Sequence, residues 1–312
     1  MNIPASVEVI EVGMRDGLQM EYQFIDTGTK VELINGLMAA GVRHIEATSF
    51  VSPRAVPQLA DAAEVLAGAH RPAGSRFAVL APNLKGVERA IAAKADEIVV
   101  FLSCSESHNE KNLNRSIDRS LEDISAIAQR VKDVDIIKKG AIACAFGCPF
   151  EGDIDLDTLM RIAGNFHALG FRALTLGDTT GMATPRLVTR TVLALRDAFP
   201  EMKLTLHFHN TRGIGLVNVV AGLNAGIDSY ESSLGGLGGC PFAPGASGNI
   251  CTEDLVYLLN EMGIQTGIDL GKLIDVASRM ESILGRSLPG QVMKAGPRLR
   301  LHGYEDAACA MG

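Results

Sequence analysis

The sequence lacks several features that would indicate particular classes of protein. Its 312 residues include six cysteines, too few for a disulfide scaffold, so we expect reduced thiols. No apolar run reaches the roughly 20 residues that span a bilayer, and the N-terminus lacks the pattern of a signal peptide. Lys and Arg number 29 against 36 Asp and Glu, which argues against a nucleic-acid partner. We therefore expect a cytoplasmic globular protein with neither a membrane nor a nucleic acid as partner.

Short nucleotide-binding and nucleophile motifs are missing too. There is no G-x-x-x-x-G-K-[ST] phosphate loop, and no G-x-G-x-x-G opens a helix after the first strand. The usual ATP and NAD sites are therefore excluded, and no G-x-S-x-G elbow of a serine hydrolase is found. The residues present are 47% hydrophobic and 21% charged, which is the balance of a folded globular chain.

Eight β-rich runs alternate with stretches of helical spacing, such as Pro185–Phe199. Glycines suited to a left-handed helix end follow several of these stretches, at Gly41, Gly170 and Gly226. The predicted strands are Val7–Val12, Val42–Ser49, Arg76–Ala81, Glu97–Ser103, Ile136–Ala145, Ala173–Asp178, Lys203–Asn210 and Asp228–Leu234.

Repeated strand–helix alternation implies parallel strands joined by right-handed crossovers. Eight such units most often close into a (β/α)₈ TIM barrel, and an open doubly wound α/β sheet is the alternative. No linker-like composition divides the chain. We predict a single catalytic barrel over residues 1–285 and a short C-terminal appendage over residues 286–312.

In a barrel of this kind the active site lies where the strands end. Unusual polar residues are found at several predicted strand ends, and a glycine-rich segment follows the last strand. These polar residues are Arg15, Asp16, Glu46, Asp178, His207 and His209.

His207 and His209 are the most informative pair, because residues i and i+2 of a strand face the same side. One strand histidine alone is more often structural. With Asp16 beside them, the two imidazoles form a mixed nitrogen and oxygen donor set that suits Mg²⁺, Mn²⁺, Co²⁺ or Zn²⁺. Asn249, after the glycine-rich segment, is either a neutral oxygen ligand or a helix cap.

Arg15 would place a fixed cation beside the metal, where an enolate or carboxylate oxygen could bind. The alternative for Arg15 and Asp16 is a surface ion pair. Glu46 and Asp178 have apolar strand residues behind them, so each needs a partner or a proton. They would orient ligands or handle protons, and a purely structural role in holding loops is equally open.

The segment Gly235–Gly248 would move and close over a substrate, since its glycines allow close backbone approach. Its thiol, Cys240, is a candidate proton donor or nucleophile, or an incidental cysteine. Cys104, Cys144 and Cys148 fit buried small apolar residues better than a zinc site.

This inventory suits carbanion chemistry. A divalent ion that chelates a 3-hydroxyl and a carboxylate makes the hydroxyl acidic, so a nearby base removes its proton and a C–C bond breaks. The electrons then reach a thioester carbonyl as an enolate, which Arg15 would stabilise and Cys240 would protonate. The same inventory also fits the reverse condensation.

Six segments resemble the 3-hydroxy-3-methylglutaryl-CoA lyase family, in order along Val7 to Tyr257. The last, with its cysteine, is highly specific for the lyases within a wider superfamily that includes isopropylmalate and homocitrate synthases. They are VGMRDGLQ (Val12–Gln19), EATSFVSP (Glu46–Pro53), FGCPFEG (Phe146–Gly152), GDTTGMATP (Gly177–Pro185), HFHNTRG (His207–Gly213) and GLGGCPFAPGASGN (Gly236–Asn249).

The resemblance implies a (β/α)₈ barrel with Mg²⁺ or Mn²⁺ that cleaves 3-hydroxy-3-methylglutaryl-CoA, an acyl-CoA, into acetyl-CoA and acetoacetate. It also implies a role in leucine degradation and a homo-oligomer, either a dimer or a tetramer. The implied metal ligands are Asp16, His207, His209 and Asn249. The implied catalytic residues are Arg15, Asp16, His207, Cys240, Glu46 and Asp178, with the hydroxyl proton taken by His207 or Asp16.

The chain departs from the family pattern at Met14, Met20, Asn210 and Arg212, where Pro, Asn, Asp and Tyr are usual. The reaction type is therefore better supported than the acyl group. A paralogous lyase acting on citramalyl-CoA or on a longer 3-substituted glutaryl-CoA is the alternative. A condensing synthase would carry a larger C-terminal region, and a silent binding barrel would not need every candidate ligand.

Overall fold

The computed structural model describes residues 3–239 and 248–301. Eight parallel strands form a closed ring in which each pairs with the next along the chain, and β1 pairs with β8. The strands are β1 Glu8–Glu11, β2 His44–Ser49, β3 Arg76–Leu80, β4 Glu97–Ser103, β5 Ile137–Ala143, β6 Ala173–Asp178, β7 Lys203–Phe208 and β8 Ser229–Ser232.

Helices cover the outside of the ring and supply the crossovers between parallel strands. They are α1 Thr27–Ala39, α2 Ala62–Gly68, α3 Leu84–Ala92, α4 Glu106–Leu113, α5 Ile117–Arg130, α6 Leu156–Ala168, α7 Pro185–Ala198, α8 Gly215–Asn224, α9 Thr252–Glu261, α10 Leu270–Leu284 and α11 Val292–Ala295. Within the described ranges, no helix is both long and apolar enough to cross a membrane.

Local sequence signals explain how the helices begin and end. The side chain of Asp26 accepts a hydrogen bond from the Thr29 backbone N–H at 3.0 Å and so caps α1. After the same helix, Gly41 has φ +102°, and a Cβ there would lie 2.4 Å from the carbonyl oxygen of Gly267. Only glycine fits this turn, because both its backbone conformation and the close neighbour exclude a side chain.

The predicted barrel is confirmed and the open sheet is excluded, since β1 and β8 pair along four residues. All eight predicted strands are present, with ends that differ by at most two residues. Gly285, in the left-handed conformation, ends α10. The division of the chain into residues 1–285 and 286–312 stays a prediction.

The inside of the barrel is divided by chemistry. A small apolar cluster on β3 and β4, formed by Ala78, Leu80 and Val99, contacts Phe101 and Ala141. Buried charged and polar side chains occupy much of the remaining interior, on strands β1, β2 and β4 to β8. A TIM barrel interior is usually filled with branched apolar residues, so these polar layers point to function at one end.

Candidate active site

Asp16 reaches the barrel mouth through an unusual turn. Residues Gly13–Gly17 form a single π-helical turn directly after β1, in which the Asp16 N–H bonds the Val12 carbonyl at 2.7 Å. A Cβ at Gly17 would lie 2.8 Å from the Cβ of Leu237, so the turn needs a glycine. Such π-helical turns are rare and often lie at functional sites.

The carboxylate of Asp16 is buried and well supplied with donors. It accepts hydrogen bonds from Arg15 Nη1 at 2.6 Å and from Asn249 Nδ2 at 2.8 Å. Burial alone would raise the pKa of Asp16, but Arg15 and the two nearby imidazoles together lower it. Asp16 is therefore an anion that is ready to bind a cation.

His207 and His209 both face the barrel interior, as their spacing predicts, and their Nε2 atoms are 3.1 Å apart. Burial lowers the pKa of His209 to about 3, and its neighbour His207 adds to the effect. Burial would also lower the pKa of His207, but a 2.9 Å hydrogen bond between its Nδ1 and Glu231 Oε2 raises it. His209 is thus held as a neutral imidazole, the form that binds metals.

Asn249 lies beside His209 because the backbone that follows the glycine-rich segment pairs with the end of β7. Its Oδ1 is buried and has no hydrogen-bond partner among the described residues. A Cβ at Gly238 would lie 2.5 Å from Asn249 Nδ2, so glycine leaves the space that the amide occupies. Cys251, and not Asn249, is the N-cap residue of α9, which favours the oxygen-ligand interpretation.

The donor set fits a divalent ion. One atom each from Asp16, His207 and His209 lie within 4.8 Å of one another, and no other such group of acids, histidines and cysteines occurs in the described ranges. Two nitrogen ligands about 2.1 Å from one ion, at a right angle, lie roughly 3.0 Å apart. The 3.1 Å between the two Nε2 atoms matches that spacing, and Asn249 Oδ1 adds an oxygen without another partner.

Arg15 joins this donor set to a second carboxylate. Its Nη2 is 2.6 Å from Glu46 Oε2, and its side chain is 12% exposed, so the alternative of a surface ion pair is wrong. Burial raises the pKa of Glu46 more than Arg15 lowers it. Glu46 Oε1 and Arg15 Nε are both buried without a hydrogen-bond partner in the described part of the chain. Both atoms are available to a substrate.

Asp178 ends β6 but turns toward its own loop. Its Oδ1 accepts hydrogen bonds from the backbone N–H groups of Met182 at 2.7 Å and Ala183 at 2.9 Å. Burial raises the pKa of Asp178 to about 7. The contacts show a role in holding the loop after β6, while a role in proton handling stays a prediction.

The cysteines divide into two groups. Cys104, Cys144 and Cys148 are buried, as predicted, and Cys148 Sγ accepts a hydrogen bond from Ser105 Oγ at 2.9 Å. Cys240 lies outside the described residues, so its catalytic role stays a prediction.

Sequence reasoning missed three interior residues beneath the histidines. Glu231 of β8 bonds His207, and Lys139 of β5 and Thr175 of β6 both bond Glu231. The strand period could have found them, because each lies an even number of residues from an inward-facing position on its own strand. Lys139 and Glu231 are of residue types that are rarely buried, so their position inside the barrel is not evident from the sequence.

A cavity of about 620 Å³ opens above these residues. Its lining includes Arg15, Asp16, Glu46, both histidines and Glu231, and it also includes an apolar wall and further polar side chains such as Asn83 and Asp123. The apolar wall includes Val51, Leu80, Val99, Phe101 and Ala141. A ligand with a charged end and an apolar end would fit this arrangement.

Comparison with known proteins identifies the family. A model of the family described as HMGL-like matches residues 6–280. The chain belongs to the HMGL-like family.

Three relatives cover nearly the whole chain. The 3-hydroxy-3-isohexenylglutaryl-CoA/hydroxymethylglutaryl-CoA lyase of Pseudomonas aeruginosa is 42% identical over 95% of this chain and 98% of its own. The mitochondrial hydroxymethylglutaryl-CoA lyase of Homo sapiens is 41% identical over 95% of this chain and 91% of its own. A solved HMG-CoA lyase of Acinetobacter baumannii, in complex with coenzyme A and 3-methylmalate, has a TM-score of 0.92 and 45% identity over 96% of this chain and 98% of that one.

The departures from the family pattern differ in what they contact. Arg212 Nη1 donates to the carbonyls of Thr180 and Gly181 at 3.0 and 2.7 Å, which ties two loops together. Asn210 Oδ1 accepts from the Gly215 N–H at 3.0 Å, at the start of α8. Met20 lines the cavity, so it is the departure that a substrate would meet.

Proposed function

We propose that this protein is a metal-dependent lyase that cleaves 3-hydroxy-3-methylglutaryl-CoA into acetyl-CoA and acetoacetate, with Mg²⁺ or Mn²⁺. The observation that carries the proposal is the convergence of Asp16, His207 and His209 in one cavity, with Arg15 directly beside them. The similarity to lyases over nearly the full chain supports the reaction class.

Asp16, His207, His209 and Asn249 would hold the divalent ion, which would supply the Lewis acidity that lowers the pKa of the substrate hydroxyl. Asp16 or His207, which adjoin that position, would take the hydroxyl proton. As the C–C bond breaks, the hydroxyl carbon becomes the ketone of acetoacetate. The bonding pair moves into the thioester group as an enolate.

Arg15 is the group that would hold the enolate oxygen. Its two terminal nitrogens are engaged by Asp16 and Glu46, which fix the guanidinium, and its buried Nε has no partner among the described residues. A preorganised cation of this kind stabilises charge that develops in the transition state. Cys240 would then deliver a proton to the carbon and complete acetyl-CoA.

The test is direct. Purified protein is incubated with 3-hydroxy-3-methylglutaryl-CoA and Mg²⁺, and acetoacetate is measured with and without a chelator. We expect product only when the metal is present. Absence of acetoacetate with either Mg²⁺ or Mn²⁺ would refute the proposal.

A second candidate substrate is favoured by the apolar wall formed by Leu80, Val99 and Phe101. A 3-substituent longer than methyl would bury apolar surface there, and one relative is named for a 3-isohexenyl substrate. A panel of citramalyl-CoA, the 3-methyl substrate and longer 3-alkyl homologues separates these cases. A kcat/KM that rises with chain length would favour the longer substrate.

Several predictions from the family resemblance remain predictions. They are the role in leucine degradation, the cytoplasmic location and the homo-oligomer. The preferred ion belongs with them, because the donor set accepts both Mg²⁺ and Mn²⁺.

A further inference from the structure

Below the proposed metal site lies a group of four side chains from four consecutive strands. His207 of β7 and Glu231 of β8 are direct partners in the register of the two strands. Lys139 of β5 and Thr175 of β6 complete the group, and all four are buried. We call Lys139, Thr175 and Glu231 the interior clamp.

Both oxygens of the Glu231 carboxylate are hydrogen-bonded. Glu231 Oε1 accepts from Lys139 Nζ at 2.7 Å and from Thr175 Oγ1 at 2.8 Å. Its other oxygen, Oε2, is 2.9 Å from His207 Nδ1. A carboxylate held at both ends in this way cannot rotate without breaking a buried hydrogen bond, which is costly.

The contact determines which nitrogen of His207 carries a proton. An ionised carboxylate only accepts hydrogen bonds, so Nδ1 must be the donor, and in the neutral, metal-binding form of the imidazole Nε2 is left with its lone pair. That lone pair faces the position shared with His209 and Asp16. The second imidazole has no such support, because His209 Nδ1 lacks a hydrogen-bond partner among the described residues.

We propose that Glu231, held by Lys139 and Thr175, is a positioning residue that keeps the His207 imidazole oriented for a divalent ion. This inference rests on the proposed metal dependence. Carboxylate partners of metal-binding histidines fix the ring and its tautomer, and their loss typically weakens metal affinity about 10- to 100-fold. Lys139 balances the clamp's negative charge, so the carboxylate can remain ionised inside the barrel.

The experiment is a Mn²⁺ titration of chelator-treated full-length protein, with free Mn²⁺ measured by electron paramagnetic resonance. We expect Glu231→Gln to raise the Kd about 10- to 100-fold. The matched control is Glu97→Gln, the same change at a buried interior carboxylate that lies 3.3 Å from His44 and does not contact His207. We expect its Kd to stay within about twofold of the wild-type value, since it is not in the shell around the ligands.

Thr175 gives a gentler pair of variants for the case in which Glu231→Gln does not fold. Thr175→Val removes one hydrogen bond to Glu231 at nearly constant shape and should raise the Kd roughly fivefold. Thr175→Ser keeps the hydroxyl and should restore the wild-type value. Histidine ¹⁵N spectra of the wild type should show His207 protonated at Nδ1, with the signal assigned by a His207→Asn variant.

The outcomes separate the two proposals. If the wild type does not bind Mn²⁺, the metal assignment of the proposed function fails. If the wild type binds and Glu231→Gln binds as tightly, only the positioning role is overturned. The same holds if Glu97→Gln weakens binding as much as Glu231→Gln, if both Thr175 variants match the wild type, or if His207 is protonated at Nε2.

Discussion

The two ends of the barrel interior contain similar residues and treat them differently. At the end where the strands begin, His44 lies between two carboxylates, with Nδ1 3.2 Å from Glu8 and Nε2 3.3 Å from Glu97. Lys203 and Arg76 pair with the outer oxygens of those acids. Each charge there has an opposite charge within ion-pair distance, and the set acts as a plug.

At the mouth, charge compensation is incomplete. The two Nε2 atoms of His207 and His209 face each other, and Glu46 Oε1 and Asn249 Oδ1 have no hydrogen-bond partner in the described ranges. The pKa values diverge accordingly. Pairing with His44 lowers the pKa of Glu97 despite its burial, whereas burial raises the pKa of Glu46. The plug pairs each of its charges with an opposite charge, whereas the mouth leaves several potential ligand atoms for a bound molecule.

The largest expected effect that tests this contrast is at Asp16. Asp16→Asn replaces the proposed anionic metal ligand with a neutral amide. We expect kcat to fall roughly a thousandfold, because several kcal/mol of transition-state stabilisation are lost. The fold should persist, because Arg15 keeps its ion pair with Glu46. Steady-state kinetics with a thermal melt measure both effects. A variant that loses its fold along with its activity would contradict the contrast.

The next effect is at the plug. Glu97→Gln removes the carboxylate that pairs with Arg76 and one of the two carboxylates beside His44, which keeps Glu8, and we expect the free energy of unfolding to fall by at most about 3 kcal/mol. Denaturant unfolding measures this loss. Turnover at saturating substrate and metal should be unchanged, and a turnover that falls with stability would show that the plug takes part in catalysis.

The pH dependence of the free energy of unfolding gives a third test, at the buried acid Glu253. Burial raises the pKa of Glu253 from 4.5 to about 8, while its oxygens accept from the Gly235 N–H at 3.1 Å. Between these values the folded state keeps a proton that the unfolded state has lost. Glu253 therefore stabilises the fold fully below pH 4.5, and this contribution declines as the pH rises toward 8.

Glu253→Gln removes that titration. Relative to the variant, the wild-type free energy of unfolding should fall by at most about 1.4 kcal/mol per pH unit between pH 5 and 8. Urea unfolding of both proteins at several pH values gives the difference. Parallel profiles would mean that Glu253 is ionised in the fold and belongs with the paired acids of the plug.

The smallest expected effect lies between the two ends. Thr205 Oγ1 and Ser229 Oγ share a buried 3.0 Å hydrogen bond in the layer between plug and mouth. Thr205→Val should cost about 1 kcal/mol of stability and leave both metal affinity and turnover unchanged. A large loss of activity would show that the two ends are coupled.

The sequence predicted the barrel well because its signals are local and repeated. Every strand was found from its β-rich run, and Gly41 marked the end of α1. His207 and His209 were placed correctly by the two-residue strand period alone. Asp16 was expected at the mouth because it follows β1, although the π-helical turn that delivers it has no sequence signature comparable to a strand.

Long-range partners were harder to predict. No pattern in the sequence joins Lys139 to Glu231, which are 92 positions apart and come from non-adjacent strands. The direction of Asp178 toward its own loop was also open, because a carboxylate at a strand end can turn either way. Such contacts depend on the closed geometry of the ring rather than on any local preference.

The pairing of β1 with β8 links metal binding to the completion of the barrel. Asp16 follows the first strand of the barrel and Asn249 follows the last, yet their side chains meet at 2.8 Å. An ion bound by both residues would connect the first and last strands of the barrel. Its binding would stabilise only the folded state in which β1 and β8 are paired.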